Sequence, residues 1–177
     1  IKMRAQLTFL MIYRYTGLKN KDNNMKSLSK ILLVSSLSFA ISSAQASDIS
    51  TAINNDYQQH LAPLWDHFHR NPELSLMEFK TAKRLANEIR AAGFEVTENV
   101  GGTGIVALLK NGEGPTVMMR ADMDGLPVVE QSGLANASKV KMKNWHGEEV
   151  GVMHACGHDV HITSLVGTAR HMASIKD

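Results

Sequence analysis

The sequence contains few of the residues that mark specialised protein classes. Its 177 residues include one cysteine, four prolines and only 6% aromatic residues. A single cysteine excludes an intrachain disulfide, and so few prolines are atypical of collagen-like or low-complexity chains. The fold must therefore rely on core packing or on a bound metal.

The sequence also lacks an excess of charge of either sign. It contains 19 Lys and Arg residues and 17 Asp and Glu residues, which gives a formal net charge of +2. No Lys/Arg-rich run alternates with aromatic residues, as a nucleic-acid surface would require, so we predict no nucleic-acid partner. With 44% hydrophobic and 20% charged residues, the composition is typical of one globular domain.

Long apolar runs are absent, because the longest falls short of the ~20 residues that span a bilayer. This run, residues 31–41, follows a basic start at Met25 and precedes Ala44-Gln45-Ala46. A basic, an apolar and a small-residue region in this order are typical of a secretory signal peptide. We therefore predict cleavage after Ala46 and an exported protein, periplasmic or secreted, without a membrane anchor. A buried N-terminal helix is the alternative.

The predicted cleavage site divides the chain into three parts. Residues 1–24 are interpreted as an upstream or nonstandard N-terminal extension without a function of its own. Residues 25–46 are the signal peptide, and residues 47–177 are the mature part.

Apolar periodicity predicts two helices at the start of the mature part. Apolar residues at three- to four-residue spacing run from Ile49 to Phe68, where Pro63 predicts a kink or a restart. A second helix is predicted from about Met77 to Ala92, with a capping box formed by Ser75 and Glu78.

The period then changes to that of strands. Short β-type runs lie at residues 94–96, 105–109 and 116–119, and Asn111-Gly-Glu-Gly114 predicts a hairpin turn between the last two. Residues 131–149 are interpreted as a loop or a small hairpin, and Asp159 opens a last helix. Helices combined with buried strands predict the α/β class, with helices layered on a sheet.

Cys156 and His158 are the first candidates for a chemical role. They lie in a glycine-containing turn before the last helix, with His154 and His161 nearby. Thiolate and imidazole are good ligands for zinc-like divalent metals. On spacing alone, a buried cysteine beside structural histidines, or a cysteine nucleophile with a histidine base, is equally compatible with the pattern.

Asp122 and Asp124 are the second candidates, because they follow a predicted strand directly. Ligands gather at the carboxyl ends of strands in open α/β sheets, so these carboxylates could bind a metal or orient a histidine ligand. A solvated acidic loop with a turn at Asp124-Gly125 is the alternative.

Three blocks in order resemble the M20 metallopeptidase family, in its branch of hippurate hydrolases, N-acyl-amino-acid amidohydrolases and auxin-conjugate hydrolases. They are His69-Arg-Asn-Pro-Glu-Leu74 with Glu78, Arg120-Ala-Asp-Met-Asp-Gly-Leu-Pro127 with Glu130, and Met153-His-Ala-Cys-Gly-His-Asp-Val-His161. The resemblance covers roughly residues 55–175, and the third block is the most specific. It implies the N-terminal part of a two-metal, aminopeptidase-like catalytic domain.

The resemblance also implies residue roles. Cys156 and His158 match ligands of a centre of two divalent ions (zinc, manganese, cobalt or nickel), and Asp124 matches a group that supports the centre; Asp122 receives no separate role. The expected reaction is hydrolysis of the amide bond of a small N-acyl amino acid or a peptide-like substrate. The general-base glutamate and further ligands of the family have no match in the sequence.

Three hypotheses follow. The chain is an inactive, truncated part of an exported amidohydrolase, a non-catalytic metal-binding or interaction remnant of the fold, or a cysteine-nucleophile hydrolase. For a truncated part we expect an exposed apolar face, because the sheet of an α/β layer needs both faces covered. The sequence leaves the acyl group, the amino acid, the native metal and homo-oligomerisation open.

Overall fold

The computed structural model describes residues 8–14 and 49–176, and these have the predicted α/β class. The helices are α1 (residues 49–56), α2 (Ala62–Arg70), α3 (Phe79–Ala91) and α4 (His158–Ser174), and a π-helical turn, Tyr57–Leu61, separates α1 from α2. The strands are β1 (Thr8–Arg14), β2 (Glu95–Val100), β3 (Gly104–Leu109), β4 (Thr116–Asp122), β5 (Lys141–Lys143) and β6 (Glu149–Gly151). None of the helices in these two stretches is long and apolar enough to cross a membrane.

The interruption predicted at Pro63 is present. Regular α-helix stops before the π-helical turn and resumes at Ala62, with Pro63 in the first turn of α2. Proline has no N–H to donate to the carbonyl four residues earlier, and its ring crowds that carbonyl, so the backbone widens for one turn.

The predicted second helix is confirmed as α3, but the capping box is wrong. Glu78 occupies the N-cap position without a side-chain capping bond. The cap comes from Glu73, whose carboxylate accepts hydrogen bonds from the N–H groups of Lys80 (3.2 Å) and Thr81 (2.7 Å). The loop before α3 folds back and brings this more distant carboxylate to the helix end, which local spacing does not reveal.

The hairpin predicted between β3 and β4 is also wrong. The sheet order is β2-β3-β1-β4, so β1 lies between these two consecutive strands, parallel to β3 and antiparallel to β4. No element was predicted for residues 8–14. The predicted signal peptide, residues 25–46, lies outside the described residues.

The core lies where α2, α3 and α4 meet the sheet. Its fully buried side chains include Phe68, Leu85, Ile105 and Ile162. Residues 131–149, predicted to be a loop or a small hairpin, extend into the antiparallel pair β5–β6. This packing fixes the start of α4 next to the end of β4, where the candidate site lies.

Candidate metal centre

The three blocks of the sequence meet beside Gly125. The N–H of Gly125 donates to the carbonyl of Glu73 (2.7 Å), and Leu126 pairs with Met153 as an isolated bridge. A Cβ atom at Gly125 would lie 2.9 Å from Val152 Cγ1 and 3.0 Å from the Cβ of Pro72. Only glycine allows the first block, the end of β4 and the segment before α4 to approach this closely.

Asp124 and His158 form a buried pair. Oδ1 of Asp124 lies 2.9 Å from Nδ1 of His158, and the Asp124 carbonyl oxygen lies 3.0 Å from the same nitrogen. Two acceptors at Nδ1 favour a proton on that nitrogen, which leaves Nε2 with its lone pair. A histidine that is oriented by a carboxylate in this way is a typical metal ligand.

The two aspartates of the second block have different partners. Asp122 ends β4 and forms an ion pair with Arg120, whereas Asp124 turns to His158. The structure therefore brings Asp124 to His158, whereas Asp122 pairs with Arg120.

Cys156 lies two residues before His158 and is exposed and free. Gly157, between them, has a φ of 73° and takes the N-cap position of α4. This left-handed turn allows the chain to enter the helix directly after the cysteine. The exposed thiol is accessible to a metal ion from solvent.

His69 joins all three blocks through two carboxylates. Its Nδ1 lies 2.7 Å from Oδ2 of Asp159, and its Nε2 lies 3.3 Å from Oε1 of Glu130. Burial raises the pKa of Glu130, but the hydroxyl of Ser132, the N–H of Ser138 and His69 outweigh that effect and hold it below the ordinary value. The sequence placed these residues in the matched blocks without indicating that they meet.

His154 and Glu78 are buried groups that the sequence did not single out for a role at the site. Neither ring nitrogen of His154, which is 5% exposed, has a hydrogen-bond partner in the part of the chain that the structure describes, and burial lowers its pKa. Oε2 of Glu78 accepts from the Thr103 hydroxyl (2.6 Å), Oε1 has no partner there, and burial raises the pKa of Glu78. Buried polar atoms are rarely left unpaired, which makes these three atoms unusual among the described residues.

The predicted donors, Cys156 and His158, are of the types that a zinc-like metal prefers, but two protein ligands are too few. A thiol and an imidazole suit such ions, which take three or four protein ligands. Within residues 8–14 and 49–176, no group of three or more His, Cys, Asp or Glu side chains could hold a metal ion. Cys156 and His158 therefore remain two predicted donors, without a third beside them in the described residues.

Comparison with known proteins shows which proteins this chain is similar to. Residues 118–177 match the family model described as Peptidase family M20/M25/M40. Thermostable carboxypeptidase 2 of Saccharolobus solfataricus is 47% identical over 111 residues, covering 62% of this chain and 26% of that protein. Hippurate hydrolase of Campylobacter jejuni is 41% identical over 120 residues, covering 67% and 29%. The chain thus spans under a third of the length of these curated relatives.

A solved structure shows the same likeness. It is a Bacillus subtilis protein described as a dinuclear metal-binding peptidase from family M20, with a TM-score of 0.57 and 32% identity. The match covers 69% of this chain and 32% of that one. Fold and matches together define an α/β domain related to metal-dependent hydrolases. The chain thus resembles the M20 family, as the three blocks predicted, and the partial coverage fits an N-terminal part of the family's members.

Proposed function

We propose that Cys156 and His158 are the first two protein ligands of a two-metal centre that hydrolyses amide bonds. The observation that carries this proposal is the buried pair of Asp124 and His158, which leaves Nε2 of His158 for a metal. When bound, divalent ions (zinc, manganese, cobalt or nickel) would polarise the substrate carbonyl and lower the pKa of a water molecule.

The residues of this chain hold the ligands in place. Asp124 fixes the ring of His158, and Asp159, anchored by His69, holds the first turn of α4 that carries it. Such outer partners orient a ligand and raise its basicity, and their loss lowers metal affinity by about 10- to 100-fold.

The names of the relatives support a proposal about the substrate class. They are named as carboxypeptidase, hippurate hydrolase and N-acetyl-L-cysteine deacetylase, names that share a linear amide next to an amino acid. We propose a small N-acyl amino acid or a peptide-like molecule as substrate. The proposal includes export to the periplasm or beyond, from the pattern at residues 25–46.

Hydrolysis needs a general base that accepts the proton of the attacking water. No glutamate of the sequence matches that residue of the family, and two donors do not complete a metal site. We therefore propose that residues 1–177 bind a metal weakly and do not hydrolyse amides without further groups.

Titration of the full chain with cobalt(II) tests the site, because cobalt bound to a thiolate gives a charge-transfer absorption. We expect this band in the unchanged protein and its loss in Cys156→Ser. Asp124→Asn should lower the affinity by about 10- to 100-fold. Asp122→Asn is the matched control and should leave the affinity unchanged, because Asp122 pairs with Arg120.

The outcomes separate the three hypotheses. A folded chain that gives no cobalt–thiolate band, or equal effects of the two aspartate variants, contradicts the metal site. Hydrolysis by chelator-treated protein that stops on stoichiometric alkylation of Cys156 would identify a cysteine nucleophile instead. Metal binding by the chain, with hydrolysis only after the unmatched part of a relative is added, supports the amidohydrolase.

A further inference from the structure

A cavity lies between the end of α2, the loop before α3 and the β5–β6 pair. Its volume is about 700 Å³, within the range of roughly 300–1,000 Å³ that small-molecule sites occupy. The side chains that line it come from residues 67–81 and 140–145, and Cys156 and His158 are not among the described residues that do so. We call it the Trp145 cavity, and it is built from other side chains than the predicted metal donors.

Two hydrogen bonds hold the walls of the cavity together. The N–H of Leu74 donates to Sδ of Met142 (3.4 Å), and Nε1–H of Trp145 donates to the carbonyl oxygen of Ser75 (3.4 Å). Each bond joins the loop before α3 to the β5–β6 pair. The second bond fixes the indole ring at the cavity, although Trp145 is 59% exposed. An aromatic ring that is held by its polar edge and left open to solvent can offer its face to a ligand.

Backbone strain is present in the same loop. Leu76 has a φ of 64°, in the left-handed region that a bulky side chain rarely adopts because it costs free energy. Leu76 also lines the cavity. Strain of this kind persists only where the surrounding structure imposes it, and it is concentrated at functional and ligand-binding sites. The loop thus holds an apolar side chain at the cavity in a conformation that is unfavourable by itself.

The walls of the cavity are mainly apolar and aromatic. Met77 and Phe79, which is 65% exposed, lie at the start of α3, and with Leu76, Met142 and Trp145 they line the same space. Aromatic rings offer large contact areas, and thioethers adapt to irregular apolar shapes. These walls therefore suit the apolar part of a ligand.

The charge that remains unbalanced in the cavity is positive. The carboxylate of Glu73 accepts from the first N–H groups of α3, so the positive end of the helix offsets its charge. Lys141 pairs with Glu149 (3.2 Å), and burial lowers the pKa of His67, which keeps that ring neutral at pH 7. The ammonium group of Lys80 forms no ion pair in the described part of the chain.

We propose that the Trp145 cavity binds a small amphipathic carboxylate. The apolar part of this ligand packs against Trp145, Phe79 and Met142, and its single negative charge pairs with the ammonium group of Lys80. A phosphate ester matches less well, because it carries up to two charges and prefers arginine or free backbone N–H groups. Glu73 already takes those of α3. Binding in this cavity does not depend on amide hydrolysis.

Titration of the full chain with phenylbutyrate is the first test, because this probe has no amide bond to hydrolyse. A chelator keeps metal out of the candidate centre, so a carboxylate bound to metal is not measured. The sequence has two tryptophans, whose indole N–H signals in NMR spectra are assigned with Trp145→Phe. We expect one bound copy per chain and a shift of the Trp145 signal, with that of Trp65 unchanged. Binding that shifts neither signal, or no binding, would overturn the proposal.

The second test isolates the charge. Phenylbutanol has the same ring and chain without the carboxylate, and should bind about 5-fold more weakly than phenylbutyrate. Lys80→Gln should remove this difference and leave the affinity for phenylbutanol unchanged. Lys83→Gln is the matched control, because Lys83 is also an exposed residue of α3 but pairs with Glu98 and does not line the cavity. Equal affinities for the two probes in the unchanged chain, or equal effects of the two lysine variants, would contradict a carboxylate site.

The third test isolates the apolar walls. Trp145→Ala should lower the affinity for both probes by about 10-fold, because the aromatic face is lost whether or not the probe is charged. Leu76→Gly relieves the left-handed strain and removes the side chain, so it should raise the melting midpoint and weaken binding of both probes. Unchanged binding by Trp145→Ala, or tighter binding by Leu76→Gly, would show that the probes bind elsewhere.

Discussion

Two regions of the molecule differ in how well their side chains are paired or covered. One is the cluster at which the three blocks meet, and the other is β4, the outer strand of the sheet. In the cluster, His69, Asp124 and His158 are buried or nearly so and paired. On β4, Val117 and Met118 are 47% and 63% exposed. The buried pairs of the cluster thus form by contacts within the described residues, whereas these apolar side chains of β4 have no cover from them.

The contrast has a physical origin in where each region finds its partners. The cluster is built from segments between residues 69 and 159, all of which are present. Apolar exposure of the kind seen on β4 marks a surface that other elements or other molecules cover. This agrees with the exposed apolar face expected for a chain that spans under a third of its relatives. Four substitutions test this difference between the cluster and β4.

The largest effect is expected for a core side chain that supports the cluster. Phe68 on α2 is 1% exposed and precedes His69. Phe68→Ala should lower the free energy of unfolding by about 3–5 kcal/mol, because it removes apolar contacts and leaves a cavity. Phe79→Ala is the matched control: its side chain is 65% exposed, so the change should stay within about 0.5 kcal/mol in urea unfolding. Similar losses for both variants would contradict the packing described for α2.

Gly125 is the next most sensitive position. Gly125→Ala places a Cβ against Val152 and Pro72, and overpacking of this kind costs about 1–3 kcal/mol. It should also shift the NMR signals of His158, since Asp124 precedes Gly125. Gly133→Ala is the matched control, because Gly133 has a φ of 72° but open space around an added Cβ. Backbone strain alone should lower the free energy of unfolding by about 1 kcal/mol, and the NMR signals of His158 should not change. Disturbance of His158 by both variants would argue against a local effect.

Glu78 provides a test through pH. Burial raises its pKa above the ordinary value of 4.5, so the folded protein favours the protonated acid. Below pH 4.5 both states hold the proton; above it the unfolded chain ionises first, and stability is lost as the pH rises through the folded pKa.

Glu78→Gln keeps an oxygen for the hydroxyl of Thr103 and carries no charge. The variant should gain about 1–2 kcal/mol over the unchanged protein at pH 7, and less as the pH approaches 4.5. Urea unfolding at a series of pH values measures this difference. Glu95→Gln, at an exposed site, should show no such trend; a gain for Glu78→Gln that is independent of pH would contradict the assignment.

The smallest effect on stability is expected at β4. Met118→Lys should change the free energy of unfolding by less than about 0.5 kcal/mol, because the side chain is mostly exposed. It should nevertheless reduce self-association in light scattering, since a charge interrupts an apolar surface. A stability loss typical of the core, or unchanged association, would show that β4 is covered in solution.

Local elements were predictable from the sequence to different degrees. Periodicity located α3 and the strands β3 and β4, and the proline at position 63 located the interruption, because each depends on neighbouring residues in the chain. The capping box and the hairpin failed because Glu73 and β1 reach their partners from distant segments. At the site, residue types indicated Cys156, His158 and Asp124, but no spacing rule pointed to His154, whose burial depends on packing.

By itself the sequence determined the α/β class, the three blocks and the kinds of donor atoms they carry. Only the tertiary structure decided that Asp124 rather than Asp122 reaches His158, that His69 lies between two carboxylates, and that Thr8–Arg14 completes the sheet. Helical and strand periods arise from adjacent residues, whereas these contacts join segments far apart in the chain. Their formation depends on which surfaces fit when the helices and the sheet pack together.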